Sequence, residues 1–394
     1  MAQVNNVDNI DILDVRSNLG RRPSYAVVST YPPTPCGIAS FTAALCGGLI
    51  AGGADVGVVR LGGTGHSDDV CVRAELSDSA AELTPRALEV VNDVDVAFIQ
   101  HEYGIYSGRD GDAVITMLEQ IDRPTVVVAH TVLRSPTAHQ RSVMEDVAEL
   151  ADAVVVMTEA GGLRLCRDFG VDPDKVTVIP HGAAVSSSRR PTHVDGSKQI
   201  LTWGLLGPGK GIEWAIDSMA MLDDVSPPVR YRVAGDTHPK VLAHEGERYR
   251  MMLERRAQTA GVGSRVEFDE GYRGLSALAD MIDDSSLVVL PYDSPDQVTS
   301  GVLVDAVAAG CPVVATAFPH AVELLASGAG LVVPRQDPSA LADAIRRVLT
   351  EPGLADSMSA EARRIAPELA WSAVASRYMA LSNDLLSRRS PVSA

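Results

Sequence analysis

Aromatic residues are sparse in this 394-residue chain, at 4% of positions, with 3 Trp, 9 Tyr and 5 Phe. The 46% that is hydrophobic is therefore mostly small and aliphatic, which suits parallel strands buried on both faces. Cysteine is also scarce. Cys36, Cys46, Cys71, Cys166 and Cys311 are odd in number and never form a Cys-x-x-Cys pair. That excludes a disulfide framework and a structural zinc site. Positive charge is in deficit, 34 basic against 51 acidic side chains, for a net charge of −17. Sequence-independent nucleic-acid binding needs the opposite balance, and membrane contact is expected to be peripheral at most. Long apolar runs are missing: Thr125–Ala129 and Ala153–Met157 are strand-sized, too short to span a bilayer. The start of the chain, Met-Ala-Gln-Val-Asn-Asn-Val-Asp, has no basic segment followed by an apolar core. A cytoplasmic protein is expected.

What the chain does have is length and alternation. Its size suggests two domains. Apolar runs at Tyr25–Ser29, Asp55–Leu61, Val96–Gln100, Thr125–His130, Ala153–Thr158 and Val176–Pro180 are separated by segments of roughly helical length. The pattern restarts at Ile200–Trp203 and continues through Arg230–Ala234, Val266–Phe268, Leu287–Leu290, Val313–Ala315 and Gly330–Val333. Such repetition predicts βαβ units. The expected organisation is a Rossmann-like domain over 1–185, a linker over 186–198 rich in Ser, Arg and Pro, and a second Rossmann-like domain over 199–370. A terminal helical segment, 371–394, is expected to cross back to the first domain. The fold class is α/β, two doubly wound domains facing a central cleft.

Four segments carry chemistry. Gly204-Leu-Leu-Gly-Pro-Gly-Lys-Gly211 follows a strand and precedes a helix, so its N–H groups and Lys210 can face an anion. It nearly scans as a P-loop, but Gly211 stands where Ser or Thr should ligate magnesium, and its spacing misses the dinucleotide fingerprint. His101 and His130 sit at successive strand ends, where ligands of open α/β sheets collect. No third residue with metal-ligand spacing accompanies them. Asp93-Val-Asp95 reads as a solvated start to a strand, not a metal pair. Residues 291–323 form the most informative stretch: a strand end, a polar loop with Gln297, a helix opening at Ser300-Gly301 and then a buried strand. Free N–H groups at that helix start suit a phosphate, and Asp305 further along could accept ribose or sugar hydroxyls.

Together these segments resemble the retaining glycosyltransferases of family 4, which have the GT-B fold. The resemblance runs from Pro32-Pro33 to Trp371. It places Gly209 and Lys210 in the family's phosphate loop, and Gly37, in Pro35-Cys36-Gly37, in the loop facing donor phosphates and acceptor. It implies that His130 hydrogen-bonds the donor sugar, that His101 and Glu102 line the acceptor side, and that Glu323 ends a loop facing the donor sugar. Gln297 and Asp305 occupy the positions of a glutamate pair usual in the family, and Leu205 stands where an arginine is common. The implied activity is transfer of a sugar, with retention, from a nucleotide-diphosphate sugar to a hydroxyl acceptor, without metal or cofactor. Lys210 and the Ser300-Gly301 N–H groups would carry the leaving charge, and Asp296 could stand in for Gln297. The departures leave two alternatives: a non-catalytic nucleotide-sugar-binding protein, and a phosphorylase or epimerase of the same fold.

Overall fold

A computed structural model describes residues 22–63, 65–185, 198–271, 275–295 and 297–389. Most of the expected linker, Asp296 and residues 272–274 lie outside these ranges. The first sheet comprises β1 (Ser24–Ser29), β2 (Asp55–Leu61), β3 (Val72–Leu76), β4 (Val96–His101), β5 (Thr125–Ala129), β6 (Ala153–Val156) and β7 (Val176–Val178). They lie in the order β3-β2-β1-β4-β5-β6-β7, all parallel. The second comprises β8 (Lys198–Trp203), β9 (Val229–Ala234), β10 (Val266–Asp269), β11 (Leu287–Leu290), β12 (Val313–Thr316) and β13 (Gly330–Val333). Its order, β10-β9-β8-β11-β12-β13, repeats the pattern, again all parallel. The α/β, doubly wound reading of the sequence matches this architecture.

The expected strands omit β3. It is an edge strand, and its sequence Val-Arg-Ala-Glu-Leu alternates buried and exposed positions instead of forming an apolar run. Between β9 and β10 lie two helices, Pro239–Glu245 and Arg248–Thr259, broken at Gly246 with φ 60°.

Each sheet is covered on both faces, so the strands of each are fully buried in their central stretches. The helix Trp371–Arg389 places Val374, Ala375, Tyr378 and Leu385 in one apolar cluster with Tyr25, Val27 and Phe98 of the first sheet. Strand order reverses between β1 and β4 and between β8 and β11. Those two switch points are where loops diverge and leave a crevice. Among the described residues no helix is long and apolar enough to cross a membrane.

Candidate donor cleft

The loop after β8 is shaped by glycine. Gly209 and Gly211 adopt φ of 87° and 65°, the left-handed region, and a Cβ on Gly211 would collide with the carbonyl of Pro291. The loop is tied to the end of β11 at two points. Asp293 N–H donates to Gly209 O at 3.0 Å, and Trp214 Nε1–H donates to Asp293 Oδ2 at 2.8 Å. Lys210 then lies with Nζ 4.5 Å from the ring centroid of Tyr292, which itself stacks on Phe318. A cation held over a π face keeps its charge and its three donors.

The helix Gly301–Ala308 begins beside this loop. Ser300 is its N-cap, with Oγ accepting from Leu303 N–H at 3.3 Å. The sequence reading gave the Ser300 N–H to a diphosphate. The structure corrects this: that N–H donates to His320 Nδ1 at 2.9 Å. The next N–H groups, Gly301 and Val302, are the ones a helix start leaves without an intrahelical partner. A Cβ on Gly301 would stand 2.9 Å from His181 Nε2, so glycine is what admits the imidazole here. Gln297 is folded back on its own loop, its side-chain amide donating to Thr299 O and its carbonyl accepting from His320 N–H. Asp305 has its carboxyl pKa raised to about 7 by burial.

Across the cleft, His130 Nε2 pairs with Gln100 Oε1 at 2.7 Å. With that oxygen as acceptor, the ring proton is on Nε2 and Nδ1 keeps its lone pair. Phe41 presents its ring edge-on to both His130 and His181, at centroid distances of 4.8 and 5.0 Å, and to Trp371 at 5.1 Å. His181 Nδ1 donates to Gly182 O at 2.6 Å, which leaves Nε2 as the acceptor facing Gly301. Desolvation depresses the pKa of His130 and His320 to about 3 and of His181 to about 4. These imidazoles are neutral.

Other expected site residues fall differently. His101 is fully buried with neither ring nitrogen hydrogen-bonded, so its ring presents no exposed polar atom to a substrate. It acts through its backbone, whose carbonyl accepts from His130 N–H at 3.0 Å. Its position at the last residue of a central strand explains the burial. Glu102 Oε2 accepts from Gly104 N–H at 2.6 Å, and a Cβ on Gly104 would collide with Lys240 Nζ of the second domain. Gly37 is the first residue of the helix Gly37–Ala51, exposed, with no atom within 4 Å of where a Cβ would stand. Glu323, expected to end a loop facing the donor sugar, caps a helix of the other domain. Its two carboxylate oxygens accept from Glu159 N–H at 2.9 Å and Ala160 N–H at 3.2 Å, the N-terminus of Glu159–Phe169.

Asp95 Oδ2 accepts from the N–H and the hydroxyl of Ser24, both at 2.8 Å, at the N-terminal ends of the central strands β1 and β4. Among the described residues no three His, Cys, Asp or Glu side chains converge as a metal site would require. His181, His320, Phe41 and Tyr292 are absent from the sequence-derived set. Pro180-His181-Gly182 reads as a turn, although it offers a third strand-end histidine of the same kind as His101 and His130.

The comparisons agree with this geometry. Residues 35–186 match the model of Glycosyltransferase Family 4, and residues 186–365 match that of Glycosyl transferases group 1. The chain is 27% identical over 266 residues to a D-inositol 3-phosphate glycosyltransferase of Corynebacterium glutamicum, covering 64% of this chain and 62% of that protein. It is 28% identical over 247 residues to an exopolysaccharide phosphotransferase of Streptomyces coelicolor, covering 61% and 24%. The aligned part thus spans less than two thirds of either curated relative. Among solved structures, Anabaena HepE in complex with UDP superposes with a TM-score of 0.69 at 18% identity, covering 92% of this chain and all of that one. Sucrose-phosphate synthase of Thermosynechococcus elongatus gives 0.73 at 20%, covering 93% and 100%. At these identities the superpositions establish the GT-B fold.

Proposed function

Because the chain belongs to the group 1 glycosyl transferases of family 4, we propose that it moves a sugar from a nucleotide-diphosphate sugar to a hydroxyl acceptor, retaining the anomeric configuration without a metal. The observation that carries this reading is the pairing of Lys210, poised over Tyr292, with the helix start at Gly301.

Cleaving the bond between the sugar and the diphosphate leaves negative charge on the departing phosphate. Lys210 and the Gly301 and Val302 N–H groups would stabilise that charge in place, and they need little reorganisation as it develops. Nδ1 of His130 would accept a hydrogen bond from a sugar hydroxyl. Asp305 would hold ribose, and Gly37, with open space at its Cβ, would face the substrates from the other side. Gln297 has an amide, which is neither nucleophile nor base, so no glycosyl intermediate forms at that position. The departing phosphate itself would take the acceptor proton. Closure of the two domains would exclude water and suppress donor hydrolysis.

A thermal-shift panel of UDP, GDP, ADP and TDP, then of their sugars, tests the binding half, since a ligand of the native state raises its melting point. Proton NMR of the product, read before mutarotation, tests retention. No nucleotide-dependent shift, or a product of inverted configuration, would refute the reading. Nucleotide binding without transfer or hydrolysis would instead favour a binding protein, and dependence on inorganic phosphate would favour a phosphorylase.

A further inference from the structure

The loop leading into the helix Gly301–Ala308 is held from both domains. On its own side, His320 takes the Ser300 N–H and gives its backbone N–H to Gln297 O. Between those two points Val298 turns to the first domain. Its carbonyl accepts a hydrogen bond of 3.0 Å from Thr158 Oγ1, a buried contact between residues 140 positions apart. Its side chain, 3% exposed, belongs to the apolar cluster of the first sheet, in which every other described member lies between Ala26 and Val178.

Thr158 suits this task by its place in the fold. It caps the helix Glu159–Phe169: Oγ1 accepts from Gly161 N–H at 3.1 Å while its own proton goes to Val298 O. A hydroxyl has one donor and two lone pairs, so one group serves both bonds. It is buried, so water does not compete for either. The other N–H groups of that helix start, on Glu159 and Ala160, are taken by Glu323 of the second domain. Glu323 and His320 stand at i and i+3 on the helix Pro319–Leu325, a spacing that makes them neighbours on one face. The contacts therefore close a ring. It runs from Thr158 to Val298, along the loop to His320, through that helix to Glu323, and back to Glu159.

We propose that Thr158, in the first domain, is a positioning residue for the donor loop of the second, setting the Gly301 and Val302 N–H groups through Val298. The word donor rests on the reading above, but the contact between the domains does not. Thr158 acts through Val298, not on the substrate. Without its hydrogen bond the loop is free to leave the position in which its N–H groups face the same space as Lys210. Coupling of this kind is reciprocal: the factor that the contact adds to nucleotide affinity, nucleotide adds to the contact. Bound nucleotide would thus tighten the two domains against each other.

Two measurements on the full chain test this. One is hydrogen exchange of residues 297–304 without nucleotide. The other is calorimetric affinity for whichever of UDP, GDP, ADP and TDP raises the melting point most. Thr158→Val removes the hydroxyl and Thr158→Ser keeps it. Val298→Ala removes the apolar anchor from the other side, and it carries the test should Thr158→Val fail to fold. Thr84→Val is the control, because Thr84 caps the helix Pro85–Asn92 through Ala87 N–H at 3.3 Å, after the edge strand β3. The expected result is faster exchange over 297–304 in Thr158→Val and Val298→Ala, with nucleotide affinity about fivefold lower, the scale of one buried hydrogen bond. Thr158→Ser should behave as wild type, and Thr84→Val should lose stability but neither protection nor affinity. Where nucleotide binds, unchanged exchange or unchanged affinity in Thr158→Val and Val298→Ala, or an equal loss in Thr84→Val, overturns the positioning role and leaves the donor reading standing. The expected exchange pattern in a protein that binds none of the four nucleotides removes the donor reading and leaves the contact.

Discussion

His320 grips the donor loop at two points: its backbone N–H donates to Gln297 O at 3.3 Å, and its Nδ1 accepts from Ser300 N–H at 2.9 Å. The grip works only with a neutral ring. Protonated Nδ1 would be a donor facing a donor. Burial supplies the neutrality by holding the pKa of His320 at about 3. His320→Ala leaves the buried Ser300 N–H without a partner, a cost of roughly 1–3 kcal/mol. Denaturant titration should show that loss, and the nucleotide panel should show weaker binding. His320→Asn, which retains an acceptor, should recover part of both.

The buried imidazoles set the acid side of stability. His101 and His181 have pKa values lowered to about 4, His130 and His320 to about 3, against 6.5 for a solvated imidazole. Below that value the unfolded chain takes up protons that the folded chain refuses, so stability rises with pH in this range. It is fully present above about pH 6.5 and falls as pH drops toward 4, each histidine contributing a slope of up to about 1.4 kcal/mol per pH unit. A denaturation midpoint unchanged between pH 7 and pH 5 would contradict the four buried neutral rings.

Asp305 works in the opposite direction. Its folded pKa of about 7 exceeds the 3.8 of a solvated aspartate, so the folded carboxyl holds its proton longer than the unfolded one. Its contribution is fully present below about pH 3.8 and is lost as pH rises through 7. Asp305→Asn should therefore raise the melting point at pH 8 more than at pH 5.5, while weakening nucleotide binding if the carboxylate holds ribose. A variant less stable at pH 8 would show that the carboxylate is paired.

Lys210→Ala removes the one mobile cation in the glycine loop. Turnover should fall by at least about 10²-fold, the scale of losing one charge-stabilising group. Near-normal transfer would sink its assignment to the leaving phosphate.

Gly301→Ala places a methyl group 2.9 Å from His181 Nε2. One of the two must move, so nucleotide affinity should fall in the single variant and be partly restored in Gly301→Ala/His181→Ala. A double-mutant cycle reads this directly, and strict additivity would show that the two residues do not share space.

Much of this was legible in the chain. Twelve of the thirteen strands announce themselves in the sequence, the central ones most clearly, because strands buried on both faces must be apolar throughout. The edge strand β3, Val-Arg-Ala-Glu-Leu, alternates polar and apolar residues and does not. Gly209-Lys210-Gly211 and Ser300-Gly301 are equally readable, since glycine before a helix start is a local requirement. Glu323 was less readable: nothing nearby in sequence says that it caps a helix 164 positions upstream. His101 shows the same limit from the other side. It shares its strand-end position with His130, yet its ring is fully buried without a hydrogen bond while His130 pairs with Gln100.

The sequence by itself determined the two parallel sheets, the family and the loops able to face a diphosphate, because periodicity and glycine placement are local properties. Only the tertiary structure decided which donors those loops keep. Ser300 N–H is taken by His320, Gly301 is pressed by His181, and Glu323 caps a helix of the other domain. Hydrogen bonds and charges between remote residues depend on distances that no spacing along the chain specifies.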